Sequence, residues 1–380
     1  MAFTLLDWLC FLIAIVLAVC LVNLLANFAF VRWAKTKCQP AMQPPFVSVL
    51  VPARDEAVNI APCMASLLNQ DYPNYEVIGL NDDSTDDTGA MLDRIASQDR
   101  RLQVLHNHQP LPAGWNGKSR ACQILAEHAR GDWLLFVDAD TVHRPDSIRL
   151  GVEQAVGLQV ALFSVVPKQI LGSWGERMFL PAAFGLIYAF TQMWRIYLSP
   201  SLRFGNVAAI GQFLLVQREA YFVCGGHHAI RAKILDDQYL ALLFKRRGYR
   251  IAIIDGAFVA CRMYRGFRDM ARGFSKNAFA NLNGSLSTSF AFVLTLMALF
   301  VLPLAVAVLK LATGSLASPA WVAVAISSMI FIIANVRIGQ SGWTGLLYPL
   351  QLLVGVGILL NSMCWHYTRR TRWKGRTLSW

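Results

Sequence analysis

The apolar positions of this chain follow two regimes. Residues 8–31 carry no charged side chain, and at 1.5 Å per residue a helix of that length crosses a hydrocarbon core with some tilt. Residues 290–309 and 343–363 are long enough to do the same, and 321–336 between them is near the lower limit. One N-terminal and two to three C-terminal transmembrane helices follow, three being the simplest C-terminal count. In the middle of the chain the pattern changes to short apolar runs alternating with amphipathic ones. Residues 46–51, 75–80, 102–105 and 133–137 read as strands, and 60–69, 89–97 and 118–129 as helices. Such alternation is the mark of an α/β domain with a mostly parallel, doubly wound sheet. The expected division is an anchor at 1–37, a soluble domain at 38–285, membrane segments at 286–366 and a basic tail at 367–380. Within the domain, 174–198 is aromatic-rich but carries Glu176, Arg177, Pro181 and Arg195, so an interfacial helix is expected there.

Orientation follows from the cations. No Lys or Arg precedes the first apolar run, and the run exceeds a usual signal-peptide core, so a membrane helix fits better than a cleaved leader. Arg32, Lys35 and Lys37 follow it at once, which places the domain in the cytoplasm of a multi-pass cell-membrane protein. Three C-terminal crossings would carry Arg369, Arg370, Arg372, Lys374 and Arg376 to the far side. Either one segment is re-entrant or interfacial, or the rule fails here; a cytoplasmic tail is the expectation.

Composition agrees: 55% of the 380 residues are hydrophobic and only 15% charged, too apolar for a wholly soluble protein. The net charge of +12 suits an anionic lipid surface and a phosphate-bearing substrate. No basic helix, zinc-finger spacing or aromatic RNA-binding signature points to nucleic acid. The eight cysteines form no CxxC pair, so neither a disulfide framework nor a zinc site is implied.

Loops at the carboxyl ends of strands carry function in such sheets, and three of them are acidic. Pro52-Ala53-Arg54-Asp55-Glu56 follows the first strand, Asn81 to Asp86 the second, and Asp138-Ala139-Asp140 the fourth. Carboxylates at the end of an apolar strand are costly unless paired. Asp138 and Asp140 suit Mg²⁺ or Mn²⁺, which take oxygen ligands and complete their shell with substrate phosphates. The competing reading is that they cap the helix starting near Pro145, and that Asp82 and Asp86 form an Asx-turn. Gly114-Trp115-Asn116-Gly117-Lys118-Ser119 opens a helix without P-loop spacing. Its Lys118 either meets a phosphate or is simply solvated. Leu235-Asp236-Asp237 offers a general base, with capping the alternative for Asp236. Arg262-Met263-Tyr264-Arg265 suits a departing diphosphate or a juxtamembrane basic patch. His227-His228 shows no third ligand at metal spacing, and reads as loop structure or acceptor contact.

Taken in order, VPARDE, NDDSTDD, GWNGKSRA, VDAD, the Gly225-Gly226 loop, LDD and RMYR resemble the family 2 glycosyltransferases, over about residues 46–285. The resemblance implies a GT-A, Rossmann-like fold and an inverting hexosyltransferase. GWNGKSRA, the run 262–277 and the terminal WKGR are most similar to the membrane-bound members that glycosylate polyprenoid or sphingoid lipids. Those include carotenoid (diaponeurosporenoate), hopanoid-associated and ceramide transferases. By the resemblance, Pro52, Arg54, Glu56, Asp82, Lys118 and Asp138 would meet the nucleotide-sugar donor, a UDP-sugar in such members. Asp138 and Asp140 would hold the metal, Asp237 with Asp236 beside it would supply the base, and Arg265 would face the diphosphate. The family's usual Q-x-x-R-W ends here in Arg265-Gly266, which loses the tryptophan and favours single-sugar transfer to a lipid acceptor over a processive polysaccharide synthase. A non-catalytic membrane scaffold is the alternative of another class.

Overall fold

The computed structural model describes residues 4–39, 43–199, 207–282, 284–315, 317–368, 370, 372–373 and 376–377. In chain order the elements are α1 (Leu5–Thr36), β1 (Val47–Ala53), α2 (Ile60–Leu68), β2 (Tyr75–Asn81), α3 (Thr88–Gln98), β3 (Leu102–His106), α4 (Gly117–His128), β4 (Trp133–Phe136), β5 (Thr141–His143), α5 (Ser147–Gly157) and β6 (Leu162–Gln169). There follow α6 (Trp174–Phe190), α7 (Met193–Leu198), β7 (Leu214–Gln217), α8 (Arg218–Val223), α9 (Gly226–Ala229), α10 (Asp236–Arg246), β8 (Ile251–Cys261) and α11 (Phe267–Asn281). The chain closes with α12 (Leu286–Leu296), α13 (Leu302–Ala312), α14 (Pro319–Arg337), α15 (Tyr348–Tyr367) and the two-residue strands β9 (Arg372–Trp373) and β10 (Arg376–Thr377). Of the WKGR motif, Lys374 and Gly375 lie outside the described residues.

Two compact units emerge. The first, built mainly from Phe30–Ile170 and Met193–Met263, contains an eight-stranded sheet in the order β3-β2-β1-β4-β7-β6-β8-β5. Strands β1, β2, β3 and β4 run parallel, as do β6 and β8, while β7 runs against its neighbours β4 and β6, and β5 against β8. Strands β1, β2 and β4 are buried almost throughout, which is why their sequences are continuous apolar runs. One acidic exception is neutralised in place: Glu76 accepts from Ser48 Oγ at 2.7 Å and from the Arg130 guanidinium at 2.6 Å. The chain passes close by there, since a Cβ on Gly131 would stand 2.5 Å from the Ser48 backbone nitrogen. The register pairs Ala53 with Asn81 and Leu50 with Phe136, so the carboxyl ends of β1, β2 and β4 share one edge.

The second unit gathers most of α1, residues 171–192 and residues 264–371. Helices α12 and α13 join through a π turn into one 27-residue helix. With it, Leu5–Thr36, Pro319–Arg337 and Gly342–Tyr367 make four helices among the described residues long and apolar enough to cross a membrane, three of them C-terminal. Their outward positions are apolar, among them Val19, Phe290, Val308, Val322 and Leu353, as lipid-facing surfaces require. Inside, Leu17, Phe300, Phe331 and Tyr348 form the core, with the Phe331 and Tyr348 rings stacked at 5.2 Å. Helix α6 packs into the same core through Ala182 and Ala189. The polar residues of α1 have specific work. Asn23 and Asn27 donate to the carbonyls of Tyr188, Ala189 and Thr191 at 2.7–3.0 Å, satisfying groups that the end of α6 leaves open.

Candidate active site

The β1 and β2 loops are laced together. Asp55 and Asp83 adopt positive φ of 51° and 55°, and the turns this creates let Arg54 donate to the Asp82 carbonyl at 2.6 Å. Thr85 N donates to Asp55 Oδ1, Glu56 N to Thr88 Oγ1 and Ala57 N to Asp86 Oδ2. Asp86 also accepts from Thr88 N, so its work is the turn and helix start. Asp82 differs: it is almost fully buried, and its Oδ1 accepts from Asn107 Nδ2 at 2.7 Å. Pro52, near the end of β1, pairs with Leu80.

Helix α4 opens with Asn116 as its cap, the side chain accepting from Lys118 N at 3.0 Å. That cap aims Lys118 inward. Its Nζ lies 2.7 Å from Asp138 Oδ1 and 3.9 Å from Asp236 Oδ2, so it is not a solvated lysine. Burial opposes its charge, but Asp138 and Asp236 outweigh burial and hold its proton affinity well above the ordinary value.

Asp138 and Asp140 do not cap α5; Asp146 occupies that position. Burial pushes the Asp140 carboxyl up to about 7, with Asp138 and Glu56 adding to the effect. Its Oδ1 is sealed from solvent with no hydrogen-bond partner among the described residues. An ionised oxygen left so is expensive, and a hard divalent cation is the group that removes the cost. The donor set therefore fits a Mg²⁺- or Mn²⁺-type ion held by Asp138 and Asp140.

Asp237 sits in the first turn of α10 with Oδ2 accepting from Gly211 N at 2.9 Å and Oδ1 from Gln238 N at 2.8 Å. Burial pushes it up to about 7, Asp236 pushes the same way, and Lys118 opposes. Carboxyls whose proton affinity is moved to neutrality are suited to general base work. Gly211 matters sterically, since a Cβ there would stand 3.1 Å from Lys118 Nζ. Asp236 does not act as a cap: position Leu235 holds that place, without a side-chain bond.

The sequence reading missed a group behind Lys118. Ligand-type atoms of Cys122, His227 and Asp236 all lie within 4.8 Å of one another and all three residues are buried. The His227 ring packs on Phe136 at 4.9 Å, and its Nδ1 is 2.9 Å from the Tyr221 hydroxyl. No local spacing signals this group, because α4, α9 and α10 meet only through the fold. Burial holds His227 down to about 4 and His143 down to about 3. Both stay neutral in the folded protein while their unfolded counterparts take up protons below about 6.5. Stability is accordingly expected to fall as pH drops from about 6.5 towards 4, by up to about 1.4 kcal/mol per pH unit for each histidine. Thermal unfolding of His143→Gln across that range checks this; an unchanged slope would refute it.

Arg262, at the end of β8, donates its N–H to the Asp140 carbonyl at 3.3 Å. Arg265 belongs to the helical unit, where its N–H donates to Asp269 Oδ2 at 3.0 Å. The structure thus gathers Arg54, Asp82, Lys118, Asp138, Asp140, Asp236 and Asp237 in one unit, with Arg265 in the other.

The family model for glycosyl transferase family 2 matches residues 48–237, half of the chain. The chain belongs to glycosyltransferase family 2. The match ends on Asp237, so it takes in every candidate residue of the transferase except those of the Arg262–Arg265 stretch. A 4,4'-diaponeurosporenoate glycosyltransferase of Staphylococcus aureus (strain USA300) is 27% identical over 348 residues, 88% of each chain. The counterpart in strain MRSA252 is 26% identical over 344 residues, again 88% of each. Among solved structures, the mannosyltransferase PcManGT from Pyrobaculum calidifontis, in complex with GDP-Man and Mn²⁺, aligns with a TM-score of 0.53 at 20% identity, covering 91% of this chain and 98% of its own. That likeness gives the transferase a GT-A fold.

Proposed function

We propose that the transferase moves one sugar from a nucleotide sugar, a UDP-sugar, to a membrane lipid or polyprenoid acceptor with inversion at the anomeric carbon. The carrying observation is Asp237: a buried carboxyl with its proton affinity near neutrality, fixed by Gly211 N–H, in the same unit as the Lys118–Asp138 pair. In this reading Asp237 takes the proton of the acceptor hydroxyl as its oxygen forms a bond to the anomeric carbon. The bond from that carbon to the diphosphate oxygen breaks, and its electron pair leaves with the nucleoside diphosphate. Lys118 stabilises the charge that develops there, while Arg54, Glu56 and Asp82 shape the nucleoside pocket. A divalent cation on Asp138 and Asp140, when bound, neutralises the diphosphate oxygens.

Four helices able to cross a membrane support a lipid acceptor and a cell-membrane location, with Arg32, Lys35 and Lys37 favouring a cytoplasmic domain. The carotenoid carboxylate named for the relatives that align over 88% of this chain at 27% identity supports the same class. Incubation of the membrane protein with a panel of sugar nucleotides and lipid extract, with and without Mn²⁺, tests the reading. One hexose added to a lipid, in inverted configuration and only with the cation, is the expected product. A polymer, or no transfer with any donor, would overturn it.

A further inference from the structure

The contacts of the helical unit define its two faces. At one, Asp7 accepts from Lys310 Nζ at 2.7 Å and Ser318 Oγ at 2.9 Å, so the start of α1, the end of α13 and the start of α14 are level. At the other, the Arg337 guanidinium at the end of α14 lies over the Phe28 ring of α1 at 5.0 Å. A cavity of about 340 Å³ opens at this second face. Its wall includes Trp174 and Arg177 from the start of α6, Gln340 and Ser341 from the turn after α14, and Trp343 and Thr344 beyond it.

Three observations specify an occupant. Trp174 and Trp343 are 64% and 58% exposed, and amphipathic rings at the ends of membrane helices belong at headgroup depth. Next, Arg177 keeps its charge uncancelled. The adjacent Glu176 is turned away, its Oε1 accepting from Ser173 Oγ and Gly266 N and its Oε2 from Gly172 N. Among the described residues no carboxylate lies within ion-pair distance of the Arg177 guanidinium, which is itself exposed. Such a fork fits a phosphate or carboxylate bidentately. Finally, Arg337 ends α14 just before the turn that lines the cavity, and a cationic face is drawn to an anionic leaflet.

We propose that this cavity seats the anionic headgroup of a bilayer phospholipid, with Arg177 on the phosphate and the two tryptophans flanking it at the membrane interface. The proposal rests on the membrane part of the functional reading and is independent of sugar transfer.

Native mass spectrometry of the full chain in detergent, titrated with phosphatidylglycerol and separately with phosphatidylcholine, tests it without donor or turnover. The wild type and the charge-matched surface control Arg94→Gln should each retain one phosphatidylglycerol that phosphatidylcholine does not replace. Arg177→Gln should weaken that retention about fivefold or more, with its unfolding midpoint in phosphatidylcholine micelles unchanged. Equal retention by Arg177→Gln and wild type would overturn the proposal. So would displacement by soluble glycerol 1-phosphate, which would mark a free-phosphate site. A raised KM for the lipid acceptor in Arg177→Gln with phosphatidylglycerol retention intact would assign the cavity to the acceptor, and overturn it equally.

Discussion

Asp237→Asn is expected to lower turnover by about 10² to 10⁴, the usual contribution of a positioned base, while donor binding survives. The asparagine keeps the side chain's shape and one oxygen to accept from Gly211 N, but it cannot take a proton. Titration of the nucleotide sugar into the variant, alongside initial rates, separates the two effects. Donor affinity collapsing together with rate would remove Asp237 from the base role. The wild type adds a signature in pH. A base held at about 7 is protonated and idle below that value, so the rate should climb tenfold per pH unit up to about 7 and level off above it. Lys118 opposes the upward shift, so Lys118→Met should move the limb to higher pH. A limb that stays in place would break the link between Lys118 and the base.

Asp140→Asn should abolish cation-dependent donor binding. The buried carboxyl oxygen, without a hydrogen-bond partner among the described residues, is one that a cation would satisfy, and an amide oxygen is a far weaker ligand for a hard ion. The loss in Mn²⁺-dependent nucleotide affinity should exceed the roughly 100-fold that removing an outer partner of a metal ligand can cost. Mn²⁺ binding followed by electron paramagnetic resonance, with nucleoside diphosphate present, reads this directly. Because Asp140 is pushed towards protonation by burial and by Asp138, the variant should also fold at least as stably as the wild type without cation. Retained Mn²⁺ binding in a folded Asp140→Asn protein would place the ion elsewhere, the group of Cys122, His227 and Asp236 being the first site to examine.

The parts of this protein visible in its sequence are those written in local periodicity. Strands β1 to β4 and helices α2 to α4 fall within a residue or two of the apolar runs that predict them, because buried parallel strands and amphipathic helices each leave a distinctive spacing. The acidic loops were legible for a related reason, being polar clusters that interrupt apolar runs at strand ends. What local pattern could not settle was partnership. Lys118 read equally well as phosphate ligand or solvated side chain until the sheet order set it against Asp138. His227 lacked a companion in sequence, and gained Cys122 and Asp236 only when α4, α9 and α10 converged. The capping alternative for Asp138 and Asp140 fell for a similarly concrete reason, since Asp146 already holds the start of α5.

The amide side chains of α1 also bear on how the protein is made. Asn27 reaches a carbonyl 161 residues further along the chain, so α1 is synthesised long before its partner. Were α1 to enter a bilayer first, its two amides would lack these carbonyls until residues 188–191 are made. A generic hydrophobic anchor spliced in for α1 would target the protein to the membrane just as well, yet leave the end of α6 without its clasp.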